Sequence, residues 1–145
     1  MPDQQTQVLR QRWTPKQTKQ VLRSLREDRR GLIEQLVALF RGGSFPRDLR
    51  CINLADERLD RSDLAGVNLY GADLRRASLK NANLTRADLS MAILAGTDFS
   101  SASLVGAFVE GANLTQVRMK GANISSGDYH KANLKQGNLK RVRGT

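Results

Sequence analysis

From Leu54 onward, every fifth residue of the chain is apolar, and the register holds through Leu139 in 18 of 18 positions. The centres run Leu54, Leu59, Leu64, Leu69 and so on through Phe99, Val109, Met119, Ile124, Tyr129 and Leu134. Two residues before each centre stands alanine in 10 of 18 cases, and the residue just before it is Asn or Asp in 12 of 18. An α-helix cannot use this beat. Five steps of about 100° spread the leucines around the whole cylinder. A flat strand fails as well, because period-two alternation throws leucines five apart onto opposite faces. The beat works if the chain turns a corner in every repeat and keeps each leucine inward. The pattern therefore predicts a solenoid of short sides, with successive coils stacked through parallel backbone hydrogen bonds at roughly 4.8 Å.

Residues before the repeat follow a different pattern. Thr14-Pro15-Lys16-Gln17 has the form of a capping box, with Thr14 as N-cap, Pro15 at the first helical position and Gln17 three residues on. Apolar residues then recur at helical spacing, at Val21, Leu22 and Leu25 and again at Leu32, Ile33, Leu36, Val37 and Phe40. The charged stretch 26–31, ending in Gly31, predicts a break or kink between them. Gly42, Gly43 and Pro46 end the segment. The expected organisation is a flexible N-terminus over 1–13, a basic helical segment over 14–43, a connector over 44–51, the repeat over 52–141 and a tail over 142–145.

The repeat A(D/N)LXX, quoted directly in "GADLRRASLKNANLTRADLS" at 71–90, resembles the pentapeptide repeat family over residues 52–141. The resemblance implies an all-β solenoid, a right-handed quadrilateral parallel β-helix with four repeats per coil. Eighteen repeats then make about 4.5 coils. Centres twenty apart should stack, as in Leu54, Leu74, Leu94, Leu114 and Leu134. The alanines line the interior near the corners, where larger residues would overpack. Asn and Asp suit the corners because their side chains can bond nearby backbone amides.

Glu57 occupies one of the inward alanine sites in the first coil. Either the coil is open there, or an arginine of the N-terminal segment pairs with the carboxylate. An open end of the solenoid exposes strand edges and core. The helical segment is the expected lid for the first coil, with Leu32, Leu36 and Phe40 packing onto it. The last coil, with Ile124, Tyr129, Leu134 and Leu139, has less to cover it. In one reading polar edges are tolerated there; in the other, which the family favours, a second subunit covers it as a homodimer.

Charge and rare residues narrow the function. The net charge is +10 with pI ≈ 10.6, divided as +6 over 1–50 and +4 over 51–145. One cysteine, Cys51, and one histidine, His130, lie far apart in sequence, which gives no zinc cluster and no disulfide within the chain. The aspartates largely occupy the corner slot, and the glycines at 66, 71, 96, 106, 111 and 121 fall at the repeat's turn position instead of forming a phosphate loop. No catalytic residue, cofactor or metal ligand is expected. No signal-peptide core or membrane-length apolar run is present in the sequence, so a cytoplasmic location is expected.

Each centre is followed by two residues expected to face solvent. These 36 positions hold ten bases and three acids. The candidate basic surface comprises Arg75, Arg76, Lys80, Arg86, Lys120, Lys135 and Lys140. Some family members inhibit DNA gyrase by imitating the shape and charge of DNA; the basic surface disfavours that alternative here. A basic nucleic-acid or anionic-surface binder is a further alternative, weakened by scarce outward aromatics. Residues 87–117 hold no Lys or Arg, and Met91, Ile93, Val105 and Phe108 face outward in this waist, with Tyr70 one layer below the side carrying Phe108. These five form the candidate partner patch. The resulting reading is a non-catalytic protein-interaction or scaffold module that offers a rigid rod to a protein partner. By analogy with the family, that partner is a large assembly and the source cyanobacterial.

Overall fold

The computed structural model describes residues 13–19 and 48–144. In the first stretch, residues 15–19 form a short helix, α1. The Gln17 amide donates to Thr14 Oγ1 at 3.2 Å, and the Thr14 amide donates to Gln17 Oε1 at 2.9 Å. This reciprocal pair is the capping box, and it satisfies helix-start amides that would otherwise lack partners. Just ahead of it, the Trp13 indole N–H donates to the Arg50 carbonyl at 2.8 Å, and the ring packs against the solenoid core. Trp13, placed by sequence in the flexible N-terminal stretch, is thus tied to the first coil. The rest of the expected helical segment, including Leu32, Leu36 and Phe40, lies outside the described residues.

Sixteen parallel bridges join residues twenty apart, from Asp48–Asn68 to Asn123–Arg143. Twenty residues therefore make one coil, and each coil holds four pentapeptides. Four ladders define four sides. Side 1 carries Asn53, Asp73, Ile93, Asn113 and Asn133; side 2 carries Arg58, Ser78, Asp98, Arg118 and Asn138. Side 3 carries Asp63, Asn83, Ser103, Asn123 and Arg143; side 4 carries Asp48, Asn68, Asp88, Phe108 and Asp128. Among the described residues the bridges are isolated and no longer strand forms. A corner in every pentapeptide leaves each side too short for one.

Where each backbone amide goes explains the repeat. In the pentapeptide 72–76, Ala72 N–H closes the preceding turn onto Leu69 O at 2.9 Å. Asp73 N–H bonds down to Ile52 O, Leu74 N–H bonds up to Ile93 O, and Arg76 N–H bonds up to Ala95 O. Only the fourth residue lacks a backbone acceptor, and the Asp73 carboxylate supplies one to Arg75 N–H at 3.1 Å. The same bond recurs from Asn53, Asp63, Asn68, Asn83, Asp88, Asp98, Asn113, Asn123, Asp128, Asn133 and Asn138. Asn or Asp before the centre is thus the cap of the corner.

The corner itself is a turn whose third residue alone has positive φ, as in a type II turn. Those fifth-position residues have φ between 55 and 72°, and they include Gly71 and Gly111 but also Arg76, Met91 and Lys131. The left-handed conformation costs a residue with a Cβ roughly 1–2 kcal/mol. Through Gly121, two backbone bonds flank each such residue and hold it there; in the last coil, as at Lys131, only the bond that closes the turn is present among the described residues.

The inward residues fill the rod. Centres from Leu54 through Met119 are at most 2% exposed, and most first-position alanines are buried beside them. Polar residues in the alanine slot bond to backbone: Thr97 Oγ1 donates to Leu74 O, and Ser62 Oγ donates to Leu59 O, each at 2.7 Å. Glu57 is half-buried in its slot. The core thins toward the last coil, where Ile124, Tyr129 and Leu134 are half-buried and Leu139 is 43% exposed.

Both ends of the solenoid reach further than the sequence boundaries. Asp48 bridges Asn68 and Leu49 is buried, so the expected connector contributes a pentapeptide to the first coil. Arg143 bridges Asn123 and Val142 packs against the core, so the expected tail also belongs to the rod.

Candidate functional site

Twenty-residue register assigns every outward residue to a side or a corner. Phe108 stands on side 4, directly above Asp88 in the ladder, and is 53% exposed. Met91 occupies the corner leading from side 4 to side 1 and is 55% exposed. Its sulfur leans one coil upward: a Cβ placed on Gly111 would meet Met91 Sδ at 2.7 Å. Gly111 shares its coil with Phe108. Val105, half-buried, sits at the opposite corner of side 4, three residues before Phe108. The structure thus arranges Val105, Phe108 and Met91 across side 4.

The other two members of the patch lie at its margin. Ile93 is half-buried on side 1, around the corner from Met91. Tyr70 is half-buried on the corner that carries Met91, but it belongs to the coil of Asn68. Asp88 lies between Asn68 and Phe108 in the ladder. Tyr70 is therefore two layers below Phe108, a correction to the single layer expected from sequence. Below Phe108, side 4 forms a shallow cleft of about 510 Å³ bounded by Asp88, Asn68 and Asp48 along its floor and by Arg86 and Arg50 at its corners.

Ile93 and Phe108 both occupy the slot that caps the corner elsewhere. An apolar side chain there accepts nothing, and among the described residues the amides of Ala95 and Glu110 gain no side-chain acceptor. The fold loses a bond worth about 1 kcal/mol at each site.

The basic candidates separate into paired and unpaired groups. Arg75 binds Asp73 through Nε at 2.9 Å and Nη2 at 2.6 Å. Arg76 makes a two-pronged bond to Asp56, with both contacts at 2.6 Å. Arg76 holds the Asp56 carboxyl below its ordinary pKa by that hydrogen bond. Lys80 lies 3.5 Å from Asp98, which Arg118 also approaches at 3.2 Å. Asp98 is 4% exposed. Burial alone would raise its pKa, but the Ser100 hydroxyl and amide, followed by Arg118 and Lys80, outweigh it and hold the pKa below the ordinary value. Arg86 flanks the side 4 cleft. Lys80, Lys120 and Lys140 fall in register on the corner between sides 2 and 3, whereas Lys135 lies on the corner after side 1. The seven predicted bases do not form one surface.

Sequence reasoning missed three arginines that belong to this distribution, the first being Arg58 in the capping slot of side 2. Arg118 and Arg143 occupy the capping slot on sides 2 and 3, so a count restricted to the fourth and fifth positions omits them. Their departure from Asn or Asp was the available signal. The same count omitted Asp73 and Asp98, which neutralise much of the lower coils.

Cys51 is buried, with its thiol directed at the Tyr70 carbonyl at 3.7 Å. His130 is exposed on the same corner, four coils away, roughly 19 Å along the rod. Among the described residues no cluster of His, Cys, Asp or Glu has the arrangement to hold a metal ion. Among them, too, no helix is long and apolar enough to cross a membrane.

The family profile for pentapeptide repeats matches residues 52–90 and 92–128 in eight copies. Among solved structures, the chain is similar to HetL, a pentapeptide repeat protein involved in heterocyst differentiation regulation from the cyanobacterium Nostoc sp. strain PCC 7120. The TM-score is 0.63 at 34% identity, covering 66% of this chain and 46% of HetL, so the chain spans about half of HetL's length. It is also similar to the pentapeptide repeat protein Rfr23 from the cyanobacterium Cyanothece 51142, with TM-score 0.58 and 26% identity over 68% of this chain and 84% of Rfr23. The comparison with curated proteins gave no match.

Proposed function

The chain belongs to the pentapeptide repeat family, and we propose that it acts without catalysis, as a docking module that presents side 4 of its rod to a protein partner. The observation that carries this reading is the pair Phe108 and Met91, 53% and 55% exposed on successive coils. Large exposed apolar side chains grouped on one side of a rigid scaffold suit the centre of a protein interface. Phe108 supports the reading twice, since it also displaces a corner cap. The rod is taken to have the right-handed quadrilateral form of its family, which keeps side 4 flat and the spacing of the anchors fixed.

Likeness to HetL suggests a regulatory role in a cyanobacterial cell; an assembly role and a cytoplasmic location are further parts of the proposal. As a further part of the proposal, Leu32, Leu36 and Phe40 form a lid on the first coil near Glu57. The test is affinity capture with the wild-type chain and with Phe108→Ser/Met91→Ser, each checked by thermal melting. A partner held by the wild type and lost by a folded double variant supports side 4. Equal capture by both removes it.

A further inference from the structure

A second surface lies on the corner between sides 2 and 3, across the rod from the patch. Lys80, Lys120 and Lys140 stack there in register, and Arg118, Arg141 and Arg143 flank the upper two. The corner encloses a groove of about 600 Å³. Asp98 is the one carboxylate lining it, and that group is committed to Lys80, Arg118 and Ser100. Among the described residues no carboxylate pairs with Lys120, Lys140, Arg141 or Arg143. The upper half of the corner thus carries an uncompensated run of positive charge.

We infer that this corner binds the phosphate backbone of a nucleic acid, without reading its sequence. Charge and shape both favour that occupant. From Lys80 to Lys140 the column rises three coils, roughly 14 Å. A strand of duplex DNA places a phosphate about every 3.4 Å along its axis, so the column spans about four. The neutral residues of the groove are Asn81, Ser100, Ser101 and Gly121. Asn and Ser contact phosphate oxygens readily. No apolar side chain lines the groove, whereas a protein partner would need an apolar centre. Aromatic platforms for stacking bases are likewise missing from it, which leaves the backbone as the recognised feature.

The inference is tested with the full chain and a fluorescein-labelled 20-base-pair duplex of arbitrary sequence, by anisotropy between about 25 and 200 mM salt. The wild type should bind with log K falling steeply with log salt. Lys120→Ser/Lys140→Ser/Arg141→Ser should weaken binding at least tenfold at low salt and reduce the slope by about 3. Lys120→Arg/Lys140→Arg should retain binding, and Arg75→Ser/Arg76→Ser, on a different corner, should leave the slope unchanged. Absence of duplex binding at about 25 mM salt overturns the inference. So does undiminished binding by a folded triple variant, which would assign the contact to the basic N-terminal segment. Equal loss in the Arg75/Arg76 variant would mean bulk charge alone. Displacement of the duplex by poly-glutamate at equal charge would mean a generic anion surface.

Discussion

Met91 lies over Gly111, its sulfur filling the space where a Cβ would stand at 2.7 Å. Both are fifth-position residues with positive φ, one coil apart on the same corner. The corner alternates, Cys51, Gly71, Met91, Gly111, Lys131. A glycine follows each of the two buried or leaning side chains and receives it. Gly111 therefore does two things: it adopts φ +64° without strain and gives Met91 a seat beside Phe108.

Gly111→Ala should accordingly destabilise by about 1–3 kcal/mol, combining left-handed strain with displacement of Met91. In a Met91→Ala background the steric part disappears and the strain remains. A double-mutant cycle from chemical denaturation should give a coupling of about 0.5 kcal/mol or more. Additive effects would mean that Met91 relaxes freely away from the corner.

Phe108 offers a separation of fold from function. Phe108→Asn restores an acceptor for the Glu110 amide, worth about 1 kcal/mol, and gives up the half of the ring that is buried, worth a similar amount. The two effects offset, so thermal stability should stay within about 1 kcal/mol of wild type. Affinity for a partner docked on side 4 should fall at least tenfold. A large loss of stability would show instead that Phe108 is needed by the fold.

How much of this was legible depended on which physical constraint wrote each residue. The five-residue beat is set by corner geometry, so Leu54 through Leu139 announced a coil, and Asn or Asp before each centre announced the cap. Leu49 carries the same beat one step earlier, preceded by Asp48, but Arg47 stands where the repeat has alanine. Trp13 could not be placed, since its partner is a backbone carbonyl 37 residues away. The patch was readable in part because Phe108 and Ile93 break the slot rule. Charge pairing was not readable from a count of outward bases, because the acids that neutralise Arg75 and Lys80 sit in the capping slot. The twenty-residue register supplies what a linear count lacks: which cations stand above which carboxylates.

Asp98 should make stability depend on acid. Its carboxyl is held below its ordinary pKa in the folded rod. A depressed folded-state value contributes stability while the carboxylate is charged, above its unfolded value of about 3.9, and that contribution is lost as pH falls through the folded-state value. The thermal midpoint should therefore decline below about pH 4, other carboxylates adding to the slope. Asp98→Asn keeps an acceptor for Ser100 N–H but loses Lys80 and Arg118. Its midpoint should be lower at neutral pH, and its acid decline shallower, the two curves approaching each other near pH 3 or below. Parallel curves for the two proteins would show that Asp98 is not held in its charged form by this site.

Tyr129 and Gly127 form the last pair that exchanges volume. Tyr129 takes a centre otherwise held mostly by leucine, and a Cβ on Gly127 would meet its Cε2 at 2.6 Å. Glycine in the alanine slot is the room the ring requires. Burial pushes the Tyr129 hydroxyl pKa up, and its oxygen has no hydrogen-bond partner among the described residues. Removing that oxygen costs no internal bond, so Tyr129→Phe should be neutral or stabilising by up to about 1 kcal/mol. Gly127→Ala should destabilise by about 1–3 kcal/mol through overpacking. Combining Gly127→Ala with Tyr129→Leu should recover most of that loss by restoring the Ala-x-Leu form of neighbouring repeats. Denaturant midpoints of the four proteins decide the matter, and a double variant no more stable than Gly127→Ala alone would show that the ring does not set the volume of this corner.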